Sequence, residues 1–114
     1  MVDITALADE LLTRARAEEH GRAAELVVHD GVLRQLVLAL AAGAELAEHN
    51  APAAATLQAL QGRVRLSYAA GSSTPAVELG AGELTVIGHE RHGVHALADS
   101  VLVLTTVTGL LDGA

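Results

Sequence analysis

The sequence contains no cysteine, lysine, phenylalanine or tryptophan, and it has a single tyrosine, Tyr68. Because cysteine is absent, disulfide bonds and thiolate metal sites are excluded. Because large aromatic side chains are almost absent, the core has to be built from leucine, valine, isoleucine and alanine, whose small volumes suit a small β-barrel. No apolar run approaches the roughly 20 residues that a membrane-spanning helix needs, so we expect no membrane segment.

Basic residues are also scarce. The formal net charge is −7, with seven basic residues, all arginine, against fourteen acidic ones. The arginines are scattered along the chain, whereas a nucleic-acid-binding surface needs a concentrated basic face. We therefore predict no nucleic-acid partner and no binding to a membrane surface. The first residues, MVDITALADELL, carry acidic side chains where a secretion signal needs basic ones, which predicts a cytoplasmic protein.

The 114 residues predict a single domain with one core. Residues 1–22 are predicted to form an amphipathic helix ahead of a β-domain at residues 23–114. Asp3 is the predicted N-cap and Gly21 the predicted stop. Apolar residues recur on one helical stripe, at Ile4, Leu7, Ala8, Leu11, Leu12 and Ala15. Two partners for this stripe stay open: a face or open end of the same domain, and a second subunit.

From Glu25 onward the apolar spacing changes from helical to strand-like. The Asp30-Gly31 pair between two apolar runs predicts a β-hairpin. Further apolar runs follow, most of them separated by turns that contain glycine or proline: AELAEH, TLQALQ, RVRLSY, AVEL, ELTVI, HGVHAL and SVLVLTTV. Short strands at near-regular intervals predict an all-β protein, an antiparallel sandwich or barrel.

The stretch from Gly43 to Gly62 combines two glycines with a histidine at a defined spacing. Five residues separate Gly43 from His49, and an alternating run ends at Gly62. This spacing resembles the first motif of the cupin superfamily: glycine, five residues, His-x-His, three or four residues, glutamate, six residues and glycine. The second histidine of that motif falls on Ala51 and its glutamate falls on Ala55, so two of its metal donors are missing from this sequence.

A second glycine and a second histidine flank the later strand ELTVI. Gly82 precedes this strand, and a tight loop at Gly88 leads to His92 at the start of the next strand. The arrangement resembles the second cupin motif, although Gly88 stands where that motif has proline and the turn to His92 is one residue shorter. With both motifs, residues 27–108 are similar to a small single-domain cupin.

The resemblance implies an all-β fold, an antiparallel double-sheet jelly-roll barrel whose interior carries the site. It also implies a divalent metal (Fe, Mn, Ni or Zn) held by three histidines and a glutamate. Only His49 and His92 match those ligand positions, whereas a first-row metal usually needs three or more protein ligands. We therefore expect a histidine-lined pocket in which the standard metal site is incomplete. Small cupins commonly dimerise, so the resemblance also implies a homodimer.

Strand alternation identifies the residues that share the pocket face if no bulge intervenes: His49, Ala51, Ala55, Leu57 and Ala59. On the same count Gln58 points outward. A bulge near Pro52 would turn Gln58 inward, where its amide would be a further metal donor. His89, in the loop before His92, is the other donor close to the mouth of the barrel.

Three functions stay open. The first is a module that binds or senses a small molecule in the barrel. The second is a metal-dependent enzyme of the oxygenase or isomerase type, using His49, His92 and a third ligand such as Gln58 or His89. The third is a structural dimerisation domain with a filled interior. The sequence shows no Ser-His-Asp order, P-loop or paired carboxylates, so the residues alone leave open whether any reaction is catalysed.

Overall fold

A computed structural model of the chain describes residues 1–49 and 54–108, and leaves the side chains of Glu48 and His49 undescribed. Within those ranges the elements are α1 (Ile4–Ala17), β1 (Arg22–Asp30), β2 (Leu33–Leu40), β3 (Glu45–His49), β4 (Ala54–Gln61), β5 (Arg63–Tyr68), β6 (Val77–Gly80), β7 (Leu84–Val86), β8 (His92–Ala96) and β9 (Ser100–Val107). Five strands form the large sheet, in the order β1-β2-β9-β4-β7, and four form the small sheet, in the order β3-β8-β5-β6. All strand pairs are antiparallel.

The two sheets face each other across an aliphatic core. Its buried residues are Leu38, Leu40, Ala55, Leu57, Ala59, Val64, Leu66, Leu79, Ile87, Val94, Ala96 and Leu102. The predicted fold class, an antiparallel jelly roll with an N-terminal helix, is confirmed. The sheets do not close into the predicted barrel, however, because no strand of one pairs with a strand of the other within the described residues.

The N-terminal helix covers part of the outer face of the large sheet. Asp3 caps it as predicted, since its carboxylate accepts a hydrogen bond from the Ala6 N–H at 3.1 Å. The predicted apolar stripe packs against outward-facing sheet residues: Ala23, Val37, Ala39, Val101 and Val103. Leu11 of the stripe is fully buried, which stabilises the docked helix by roughly 1.5–3 kcal/mol. The stripe therefore packs within its own chain, which decides between the two partners that the sequence left open.

We name the two ends of the sandwich the closed end and the open end. At the closed end a hydrogen bond joins the sheets, from the Arg63 N–H of β5 to the Ser100 Oγ of β9 at 3.1 Å. The open end lies opposite, where β2, β4 and β8 begin and where β5 and β9 end. No described helix has the length and hydrophobicity needed to cross a membrane. The cytoplasmic location stays a prediction.

Asp99 connects the helix to the turns at the closed end. Its carboxylate accepts hydrogen bonds from the Ala42 N–H at 2.8 Å and from the Arg16 Nε at 2.7 Å. These bonds, that from Ala42 above all, hold the pKa of Asp99 below its usual value. Because the pKa is lowered in the folded state, the stabilisation is present above the pKa of the unfolded carboxyl, 3.8, and is lost as the pH falls through the folded value.

The Asp99→Asn variant is expected to lose less thermal stability on acidification than the wild type. The reason is that asparagine does not titrate, so the part of the acid destabilisation that arises from protonating Asp99 is removed. Melting temperatures followed by circular dichroism between about pH 7 and about pH 3 measure this difference. If both proteins lost the same number of degrees, the two hydrogen bonds would not contribute to stability in the way proposed.

Candidate binding site at the open end

His92 is a buried polar side chain at the open end. On β8 it alternates with Val94 and Ala96, which belong to the core between the sheets, so His92 faces the same space. Only 2% of the residue is exposed. Its Nδ1 lies 3.0 Å from the backbone oxygen of Glu90. Since a carbonyl oxygen only accepts, Nδ1 carries a proton and donates it in this bond.

Tyr68 lies beside His92 in the small sheet. The two residues are directly paired across β5 and β8. Their rings meet edge to face, with centroids 6.3 Å apart and planes at 63°. The chain's single aromatic side chain thus stands next to its buried histidine. The sequence analysis did not assign this position beside His92 to Tyr68. The one feature of the sequence that singles out Tyr68 is that the chain contains no other tyrosine.

Gly88 explains one departure from the cupin motif. Its N–H donates a hydrogen bond to the Tyr68 hydroxyl at 2.8 Å, which ties the loop after β7 to the small sheet. Proline, which the motif has at this position, carries no N–H and could not make this bond. A Cβ at Gly88 would also lie 3.3 Å from the Tyr68 ring. Glycine at this position therefore allows both the hydrogen bond to Tyr68 and the close contact with its ring.

The Glu90 side chain anchors the loop that leads into His92 to the segment 72–74. The Glu90 carboxylate accepts a hydrogen bond from the Thr74 hydroxyl. Hydrogen bonds from Ser72 and Thr74 lower the pKa of Glu90, so the carboxylate stays ionised under ordinary conditions. Because the Glu90 backbone oxygen fixes the His92 ring, residues 72–74 indirectly support the orientation of the imidazole.

The predicted pocket residues of β4 lie in the same interior space as His92. Ala55 and Leu57 are 7% and 2% exposed and belong to the cluster between the sheets. The backbone of His49 pairs with that of His92 across β3 and β8. The His49 side chain and the whole of Ala51 lie outside the described residues. The described part of the chain therefore brings together His92, Ala55 and Leu57, with the His49 backbone on the neighbouring strand.

Gln58 and His89, the two further donors considered from the sequence, do not face this space. Gln58 pairs with Val103, which packs under the helix on the outer face of the large sheet. The register shift in the described part of β4 lies beyond Ala59, so it does not turn Gln58 inward. His89 is exposed in the loop before His92.

The donors that the structure describes at the open end are too few by themselves for a tightly held first-row metal. No group of three or more His, Cys, Asp or Glu side chains lies close enough together to hold a metal in residues 1–47 and 54–108. Ala55, at the glutamate position of the cupin motif, has no donor atom. Since such metals usually need three or more protein ligands, we derive no chemical step through a metal.

The outer face of the small sheet carries a row of charges. The row runs in register across four strands through Glu45, His95, Arg65 and Glu78. The His95 Nδ1 lies 3.6 Å from Glu45, and the Arg65 Nη1 lies 3.5 Å from Glu78. Because these pairs are exposed to solvent, they contribute little to stability. We interpret the row as solvated surface, and it makes His95 a useful control for His92 on the same strand.

No protein-family model matches the chain, and no curated protein matches its sequence. Solved structures do match its fold. A cupin-2 domain protein of Shewanella frigidimarina has a TM-score of 0.69 and 11% identity, covering 94% of this chain and 94% of its own. A cupin superfamily protein of Desulfitobacterium hafniense has a TM-score of 0.70 and 12% identity, with coverage of 80% and 81%.

A mutant of salicylate 1,2-dioxygenase from Pseudoaminobacter salicylatoxidans is a third structural match. Its TM-score is 0.74 at 18% identity, over 95% of this chain and 35% of the dioxygenase chain. At these identities the matches establish the fold and leave the activity open. They agree with the motif resemblance found in the sequence.

Proposed function

We propose that this chain, which has the fold of the cupin superfamily, binds a small molecule at the open end between its two sheets. The observation that carries the proposal is His92, a buried imidazole whose Nδ1 donates to a backbone carbonyl, beside Tyr68 and next to a core of aliphatic side chains. An apolar pocket with a few placed polar groups is the usual form of a small-molecule site.

A metal-dependent cupin enzyme is the second candidate. It is favoured by the backbone pairing of His49 with His92, because directly opposed residues of antiparallel strands have Cα atoms about 4.5–5.5 Å apart. The missing donors at Ala51 and Ala55 count against it, so we place binding or sensing first. A purely structural dimerisation domain is the third candidate, and a buried histidine at the open end is not needed for that role.

Screening a fragment library by ¹H–¹⁵N NMR tests the proposal and does not require the ligand to be identified first. We expect the binding fragments to shift the amide resonances of Tyr68, Gly88 and His92 together, because these residues meet at the open end. The amides of the outer row, such as that of Arg65, serve as the internal reference. Fragments that shift only the outer face, or no binding fragment in the library, would count against a site between the sheets.

The homodimer expected from the resemblance has a surface that suits it. The edge strand β1 carries Asp30 on the outer face of the large sheet, opposite Leu33. Outside the area under the helix, the outward side chains of β2, β9, β4 and β7 form an uncharged face: Leu33, Gln35, Ala54, Thr56, Gln58, Leu84, Val86, Thr105 and Val107. Leu84 and Val86 are 62% and 69% exposed. Two chains that each carry a charge of −7 repel each other. We propose that a second copy packs on this uncharged face, where that repulsion is smallest.

Val86→Glu is expected to convert the dimer into a monomer, because it places a buried, unpaired carboxylate in the contact. Size-exclusion chromatography with light scattering measures the mass of each variant. Val77→Glu, at an exposed valine of the small sheet, is the matched control and should leave the dimer intact. A monomeric wild type, or a dimeric Val86→Glu variant, would refute the assigned face.

A further inference from the structure

Arg34 is placed at the open end of the interior by its position on β2. It alternates with Leu38 and Leu40, which face the core between the sheets. In the register of the large sheet Arg34 lies opposite Thr106 of β9, and Thr106 lies opposite Ala55 of β4. The arginine is therefore on the inner face, in the same row as the predicted pocket residue Ala55.

Arg34 differs from the other six arginines in burial. All seven lie in the described residues; Arg34 is half-buried, whereas the others are exposed. Arg16, Arg63 and Arg65 each pair with a carboxylate. In residues 1–47 and 54–108 no carboxylate pairs with Arg34.

The side-chain partners of Arg34 carry no negative charge. Its Nη1 donates to the Thr108 hydroxyl, and its Nη2 lies 3.1 Å from the His29 Nε2. A guanidinium group only donates, so the His29 nitrogen accepts in this contact. Within the described residues, these two neighbours satisfy hydrogen bonds of Arg34 and do not neutralise its charge.

We infer that Arg34 binds an oxyanion, the carboxylate or phosphoryl group of the small molecule taken by the open end. This inference rests on the proposed function. A partly buried cation without a counter-ion is unfavourable, and an anionic ligand group removes that penalty. The planar guanidinium matches carboxylate and phosphate oxygens through paired hydrogen bonds. The ligand's apolar part then lies against the aliphatic interior, whose nearest row includes Leu36 and Leu104.

Sodium formate and sodium phosphate are the probes, each compared with sodium chloride at equal ionic strength so that screening is constant. Binding is followed by the melting temperature and by the Arg34 Nε–H resonance. We expect both signals of the wild type to move with at least one oxyanion. A larger response to formate assigns a carboxylate ligand, and a larger response to phosphate assigns a phosphoryl ligand.

Arg34→Gln is the test variant, and Arg22→Gln, at an exposed arginine of the neighbouring strand, is the matched control. We expect affinity for the oxyanion to fall about tenfold or more in Arg34→Gln and to stay within about twofold in Arg22→Gln. In chloride, Arg34→Gln should be at least as stable as the wild type, because a half-buried charge without a counter-ion among the described residues is removed. A purely structural arginine would instead give a clearly lower melting temperature.

Equal oxyanion responses in the wild type and Arg34→Gln, or no response of the wild type to either anion, would overturn the inference. The proposed function fails separately, when library fragments do not shift the resonances of Tyr68, Gly88 and His92. If fragments map to those residues while the anion response does not depend on Arg34, the pocket stands and only the oxyanion assignment fails.

Discussion

Gly62→Ala is expected to lower the free energy of unfolding by about 3–5 kcal/mol, since it combines backbone strain with a collision. Gly62 has φ +79°, a conformation that residues with a Cβ rarely adopt. A Cβ at this position would overlap the backbone oxygen of Asp99 and the Ser100 Oγ, and it would lie 2.8 Å from the Ser100 Cα. These are mainly backbone atoms of the closed end, so they cannot move aside without breaking the bond between the sheets.

Gly43→Ala is the matched control for this prediction. Gly43 has φ +85°, and a Cβ there would have no described atom within 4 Å. This variant carries the strain without the collision, so we expect a loss of only about 1 kcal/mol. Urea unfolding of both variants measures the difference. Equal losses would show that the close approach at Gly62 is relieved by small shifts and does not constrain the closed end.

His92→Ala is expected to abolish binding of the fragments that map to the open end, with at least a tenfold loss of affinity, roughly 1.4 kcal/mol or more. The variant loses the imidazole that faces the interior and the ring that Tyr68 contacts. His49→Ala should act in the same direction, if its side chain joins the site as its motif position implies. Titration by NMR gives the affinity and shows from the same spectra whether the fold is retained.

His95→Ala is the control that distinguishes an effect on the site from a general effect on strand β8. His95 lies on β8 as well, but on the outer face opposite Glu45. We expect this variant to bind fragments like the wild type. His92→Gln keeps a polar side chain of similar size, so it guards against a loss of binding that comes only from a cavity. Unchanged affinity in both His92 variants would move the site elsewhere.

The sequence predicted most strands and turns and the existence of the helix because these follow from local patterns. The predicted stop at Gly21 is wrong, since the helix ends at Ala17 with Glu18 as its C-cap. The Asp30-Gly31 hairpin joins β1 and β2 as expected. The stripe through Leu11 is buried, and Gly43 and Gly62 both have positive φ. The two motif glycines thus mark two positions with positive φ. At one of them, Gly62, the packing also leaves no room for a Cβ.

The features of the site that sequence reasoning missed depend on contacts between distant segments. Alternation gave the inner face of β4 correctly for Ala55 and Leu57. Whether Gln58 points inward depends on the position of the bulge in β4. The position of a bulge has no clear signal in the local sequence. The proximity of Tyr68 to Gly88 and the place of Arg34 at the open end appear only once the two sheets are packed.

Elemental analysis of the untagged protein, purified without chelators, tests most directly whether the open end works as a binding pocket without the standard cupin metal. We predict metal well below one equivalent per chain, unchanged after incubation with Fe(II), Mn(II), Ni(II) or Zn(II). About one equivalent of metal, lost in His92→Ala and retained in His95→Ala, would contradict this prediction. That result would mean that further ligands complete the site, and it would place the metal-dependent enzyme first.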